Sequence, residues 1–177
     1  MTSFPEGNAI VYCEGAFNTP NGKTAHGLVR YTRRYCVRAV VDTSFSGRDA
    51  GEVLDGKRID VPILASIAEA CRVVSSRGHK SDYFVVGLAP DGGRLSSEAR
   101  EDVRAAIRMG LHVDSGLHDY LSEDPALVRL ARENGVQIRD VRKPPRRDQL
   151  HFCRGKIEVV RGLHFALLGA ESAVGKR

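Results

Sequence analysis

Residues that could bind or move charge fall in four places along this chain of 177 residues. The first is the loop after the apolar stretch 9–13, which runs through Gly15, Asn18, Pro20 and Asn21 to Gly22, Lys23 and Thr24. A strand, a loop and a helix start in that order leave backbone N–H groups at the positive end of a helix dipole, where an anion is stabilised. Lys23 would add a charge and Thr24 a hydroxyl. Six residues separate Gly15 from Gly22, against four in the usual phosphate-loop pattern. The plain alternative is a strand-to-helix turn with a solvated lysine. The second place is Gly92, Gly93 and Arg94, between the apolar stretch 83–88 and a serine-led helix. Paired glycines and an arginine there make another anion site, or simply a tight turn. The third is Ser115, Gly116 and His118, in a loop that also carries Asp114 and Asp119. A histidine beside carboxylates can act as a general base, although a lone histidine is also common as a structural residue. The fourth is the tail, where Gly169, Gly175 and Lys176 follow the apolar stretch 163–168. Amides of such a loop cradle phosphates and the lysine neutralises them, but five residues separate the glycines and Arg177 stands where a Ser or Thr would hold magnesium.

One further acid has a dinucleotide-like position. Asp42 closes the β-rich stretch 36–41 and follows Gly22 by 20 residues, where an acid can bond a ribose. The GxGxxG fingerprint is absent, so the more economical role for Asp42 is to order its own loop.

The elements that must carry these residues alternate. Apolar stretches at 9–13, 36–41, 61–64, 83–88, 111–113 and 136–141 read as strands. Helical spacing runs over 23–34, with Ala25, Leu28, Val29 and either Tyr31 or Thr32 inward. A second helix starts at the Ser66-x-x-Glu69 capping pattern and stops at Gly78. A third starts at Ser96, and a fourth is capped by Asp124 with Pro125 in its first position and ends at Asn134-Gly135. Residues 46–52 read as a polar loop. Nearly uniformly apolar strands that alternate with helices predict an α/β, Rossmann-like parallel sheet with helices on both faces. Right-handed crossovers then bring the loops at Gly22, Asp42, Gly92 and Ser115 to one rim, where open α/β sheets bind ligands.

Composition narrows the partners. The formal charge is +5 and hydrophobic residues make up 42%, so a folded core and an anionic small-molecule substrate are both compatible. Aromatic residues are 6% and are not interleaved with the basic ones, which argues against nucleic acid. No apolar run approaches the ~20 residues of a membrane span, and no signal-peptide pattern opens the chain. Cys13, Cys36, Cys71 and Cys153 are far apart with no CxxC pair, which disfavours a metal site and fits free thiols in a cytoplasmic protein. A homo-oligomer is compatible with all of this, and no residue fixes the subunit count.

The order of several motifs resembles the domain-of-unknown-function 1611 family. They are Gly-Lys-Thr-Ala-His-Gly-Leu-Val-Arg-Tyr at 22–31, Ser-Gly-Arg-Asp-Ala-Gly-Glu-Val at 46–53 and Val-Gly-Leu-Ala-Pro-Asp-Gly-Gly-Arg-Leu at 86–95. Ser-Gly-Leu-His-Asp-Tyr-Leu-Ser-Glu-Asp-Pro at 115–125, Asp-Val-Arg-Lys-Pro-Pro at 140–145 and Ala-Val-Gly-Lys-Arg at 173–177 continue it. The resemblance implies a Rossmann-like N-terminal domain followed by a P-loop domain similar to dethiobiotin synthetase. It further implies D-glutamate N-acetyltransferase activity, with acetyl-CoA as donor. Glu171-Ser172 departs from the Asp-Cys of the family's tail loop. The expected organisation is a Rossmann-like domain at 1–143, a linker at 144–162 around Pro144-Pro145, and at 163–177 the start of a C-terminal P-loop domain that the chain lacks. Such a fragment would be inactive alone. Two other functions compete: part of an ATP- and magnesium-dependent ligase or kinase, and a non-catalytic phosphate-binding or assembly domain.

Overall fold

The computed structural model describes residues 4–150, and its coordinates divide into one unit of residues Met1–Lys143 and another of Pro144–Arg177. The expected phosphate loop with Gly169, Gly175 and Lys176 lies outside the described residues.

Six strands form one parallel sheet: β1 (Gly7–Tyr12), β2 (Tyr35–Val41), β3 (Ile63–Leu64), β4 (Tyr83–Val86), β5 (His112–Ser115) and β6 (Ile138–Asp140). Their order is β3-β2-β1-β4-β5-β6, every pairing parallel. This is the doubly wound Rossmann arrangement, whose order reverses between β1 and β4. Five helices connect the strands: α1 (Lys23–Tyr31), α2 (Ala50–Asp55), α3 (Ile67–Ser76), α4 (Ser97–Arg108) and α5 (Pro125–Glu133). Alternate side chains of β1 separate the two cores, as the pleat requires. Val11 packs with Ala25 of α1 and Ala50 of α2 on one face. Ile10 and Tyr12 face the other, among Ala70 and Val74 of α3, Val103 and Ile107 of α4, and Leu127 of α5.

Several local expectations change. Helix α1 stops at Tyr31 because Thr32 is already extended, which lets the chain turn into β2. Tyr31 is 79% exposed rather than inward, since it lies about 240° around the helix from the buried Ala25. The polar stretch 46–52 is not all loop: it opens α2, which ends at the left-handed Gly56. Strand β5 runs on to Ser115, whereas β6 is only three residues long.

Asp49 explains why so short a helix as α2 holds. Its carboxylate caps the helix through the N–H groups of Gly51 and Glu52 and also accepts from those of Ile59 and Val61. One buried side chain thus ties the helix start to the strand entering β3. Burial alone would raise the Asp49 carboxyl, but the four amides outweigh it and hold the group below the usual carboxylate range.

An ionic cluster that the sequence does not reveal joins β2, β5 and β6. The buried carboxylate of Asp114 accepts from the Tyr35 hydroxyl and from Arg139, which also reaches Glu6. Asp114 pushes the tyrosine up after burial does, and its hydrogen bond likewise raises the arginine.

Replacing Asp49 with Ala is expected to cost about 2–4 kcal/mol, because a cap is lost and further amides are orphaned. The depressed carboxyl makes this contribution fully present above the unfolded-state value of about 3.9 and lost as pH falls through the folded value. Denaturant unfolding should therefore separate wild type from Asp49→Ala at pH 7 and bring the two together in acid. An equal gap at both pH values would refute the assignment.

Candidate functional site at the β1-β4-β5 rim

The C-terminal ends of β1, β4 and β5 are drawn together by backbone hydrogen bonds between loops. Ala25 N at the start of α1 donates to Gly87 O after β4 (3.1 Å), and Ala89 N donates back to Asn21 O (2.7 Å). On the other side, Asp119 N in the loop after β5 donates to Gly93 O (3.2 Å). Asp140 at the end of β6 accepts from Leu121 N and Ser122 N, which fixes the turn that follows Tyr120. Four loops therefore form one rim centred on the point where the strand order reverses.

Two cavities open on it. The smaller, of about 420 Å³, is lined by Lys23, Thr24, Gly92, Gly116, His118 and Arg142 among others. The larger, of about 770 Å³, is lined by Arg94, Arg100, His118, Asp119, Glu123 and Asp124, with Gly92 and Tyr120 completing it. Gly92 and His118 belong to both walls. Arg100 is committed to Asp119 and Asp124, and Glu123 pairs with Lys143 at 3.1 Å. Arg94 has no ion-pair partner among the described residues and lines the same space as these acids.

His118 is held from two sides. Its ring rests on Gly93, where a Cβ would lie 2.9 Å from Cδ2 and where φ is +66°. Arg142 Nη1 approaches His118 Nε2 at 2.7 Å. A guanidinium only donates, so Nε2 is the acceptor and the ring proton sits on Nδ1.

Other expected site residues are placed differently. Gly22 is buried, and a side chain there would collide with the Ala16 carbonyl oxygen, so close packing requires this glycine. The amides around it are taken: Gly22 N donates to Thr19 O, Lys23 N to Pro20 O and Ala25 N to Gly87 O. Lys23 and Thr24 are the members of this site that line the smaller cavity. Asp42 is fully buried, and its carboxylate accepts from Ala16 N, Phe17 N and Ser44 N. It orders the loop after β1 and lines neither cavity. Ser115 is also fully buried, accepting from Leu117 N, while Gly116 reaches the smaller cavity. Cys13, the residue after β1, is fully buried, and burial first, then Asp42 and Glu14, push its thiol up to about 12.

Arg142, Arg100 and Glu123 are not among the residues that the sequence singles out. For Arg142 a signal existed, since it stands two residues past the end of a parallel strand and so on the ligand rim. Glu123 and Arg100 had none, because they line one cavity only once the loop after β5 folds back over α4. Among the described residues no group of His, Cys, Asp and Glu is arranged to hold a metal, and no helix is long and apolar enough to cross a membrane.

Gly93→Ala should destabilise the protein by about 1–2 kcal/mol, the cost of a side chain in the left-handed region, and should displace the His118 ring. Denaturant unfolding together with the His118 ring resonances checks this. An unchanged His118 spectrum would show that Gly93 does not support the ring.

Comparison with known proteins adds family to geometry. A D-glutamate N-acetyltransferase from a Pseudoalteromonas species is 32% identical over 111 residues, covering 63% of this chain and 30% of that protein. Another, from Tritonibacter scottomollicae, is 37% identical over 93 residues, 52% of this chain and 27% of that protein. The chain thus spans about a third or less of the length of the curated relatives it matches. The crystal structure of a DUF1611 family protein from Anabaena variabilis superposes with a TM-score of 0.67 at 28% identity, covering 78% of this chain and 37% of that one. An amine dehydrogenase from Mycobacterium smegmatis, at TM-score 0.54 and 19% identity, covers 75% of this chain and 38% of that one and shares the fold alone. The profile of a domain of unknown function, the DUF1611_N Rossmann-like domain, matches residues 43–144, and the chain belongs to that family.

Proposed function

We propose that this domain binds the amino-acid substrate of an acyltransferase that moves an acetyl group from acetyl-CoA to the amine of a D-amino acid such as D-glutamate. One observation carries the reading. The larger rim cavity sets a cation without an ion-pair partner among the described residues, Arg94, in the same space as Asp119 and Glu123, and has His118 on its wall. A zwitterion needs both signs within one cavity. Arg94 would take a carboxylate through its paired N–H donors, and the ammonium would share Asp119 with Arg100 or Glu123 with Lys143. The names of the curated relatives agree with this chemistry.

The transfer asks little covalent work of the protein. The ammonium must lose a proton before its nitrogen can attack the acetyl carbon. The C–N bond then forms, the C–S bond breaks, and the departing thiolate takes the second proton from the new amide nitrogen. His118 is the rim group suited to accept the first proton, at Nε2. The donor set also fits acetyl-CoA in charge: Lys23, Thr24 and Arg142 line the smaller cavity, and phosphates favour such cations and hydroxyls. Acetyl-CoA brings the activated acyl group; the residues of this chain orient the amine and receive its proton.

Titration of D-glutamate into the 177-residue chain should give saturable heat. Arg94→Gln should weaken binding at least tenfold, or about 1.4 kcal/mol. In the full-length enzyme the same change should raise KM for the amino acid while leaving thiol release from saturating acetyl-CoA and amino acid within a few fold. Equal binding by wild type and Arg94→Gln, or no thiol release from acetyl-CoA with D-glutamate, would overturn the reading.

A further inference from the structure

His118 stands in the wall between two cavities, and its Nε2 is occupied by Arg142. This pairing is unlike the others of its kind. Arg30, Arg100 and Arg139 all meet carboxylates. Arg142 meets a nitrogen that accepts a hydrogen bond but carries no negative charge, and no carboxylate pairs with it among the described residues. Lys23, which lines the same cavity, also has no ion-pair partner among the described residues. An anionic oxygen adds Coulomb attraction for a guanidinium that a neutral ring nitrogen lacks, and bidentate geometry strengthens the bond further. An oxyanion that reached this cavity would therefore compete successfully for Arg142.

The cavity suits such a group. Lys23 and Arg142 are two cations against one carboxylate, Asp91, for a net charge of +1 along its wall. Thr24 is exposed there. Gly92 and Gly116 leave open space where side chains would stand, so an anion can approach their backbone. The amides of Lys23 and Ala25 are already bonded, so side chains rather than a full amide cradle would hold the ligand.

We propose that the cavity of about 420 Å³ is a binding site for a phosphate-class polyanion, and that the bound anion takes Arg142 away from His118. The consequence lies across the wall. Nε2, released from the guanidinium, keeps a free lone pair on a ring that also lines the cavity of Arg94 and Glu123. Filling one cavity thus arms the base in the other, and the anionic partner binds before proton transfer begins. The use made of the freed Nε2 rests on the acyl-transfer reading above; the anion site and its coupling to His118 do not.

Inorganic pyrophosphate and the 177-residue chain test this directly. Calorimetry should show saturable binding that weakens at least tenfold in Arg142→Gln and several-fold in Lys23→Gln, and tightens in Asp91→Asn. Arg142 is exposed, so R142Q should keep its unfolding midpoint, which guards against misreading a folding defect. In wild type the nitrogen resonance of His118 Nε2 should move on saturation toward the value it has in pyrophosphate-free R142Q. Equal pyrophosphate affinity in wild type and R142Q overturns the site. Saturation without movement of the Nε2 resonance overturns the coupling. If pyrophosphate moves the resonance while D-glutamate neither binds nor becomes acetylated, the acyl-transfer reading falls and the anion device stands.

Discussion

Two backbone hydrogen bonds across the seam between β1 and β4 set the geometry on which the rim depends. Ala25 N to Gly87 O and Ala89 N to Asn21 O bind the start of α1 to the loop after β4 in both directions. Each is worth only about 1 kcal/mol net. Their weight is geometric: they fix the span between Lys23 and the Gly92-Gly93 turn, and so the width of the smaller cavity. The sheet order requires that seam to exist. A parallel sheet whose windings run outward in both directions from β1 leaves a crevice where the direction reverses, and these bonds decide how far the crevice opens.

The architecture was legible because it follows from pattern. Apolar runs separated by helical spacing admit few arrangements once crossovers are right-handed, and the six-stranded parallel sheet follows from them. The capping signals at Ser66, Ser96 and Asp124 were readable for the same reason: each side chain accepts from an amide two or three residues on, and that distance is visible in sequence. Helix α2 was missed because Gly47 before it and Gly51 within it imitate a loop. Its stability comes from amides ten and twelve residues downstream of Asp49, which no local window includes. The Tyr35-Asp114-Arg139 cluster was hidden likewise, because it joins three strands that are remote in the chain.

The rim was legible in outline and opaque in detail. Topology brings Lys23, Gly92, Gly93, Gly116 and His118 to one edge, and sequence selects them by type. Which of them touch is decided by loop packing, and there the sequence is silent. Gly22 illustrates the difference: its type fits a phosphate loop, but its surroundings make it a packing glycine beneath Ala16. Arg142 illustrates the converse, a residue that looks like part of a charged connector until β6 delivers it to His118.

Asp42 carries a lesson about reuse of this architecture. In dinucleotide-binding relatives of the fold, an acid at the end of β2 is kept for a sugar hydroxyl. Here the same position is a bolt driven inward through the amides of Ala16 and Phe17, and the Phe17 ring fills the core behind it. Grafting a nicotinamide-type glycine fingerprint onto this loop would therefore unseat a buried aromatic ring and strand an unsolvated charge at the same time.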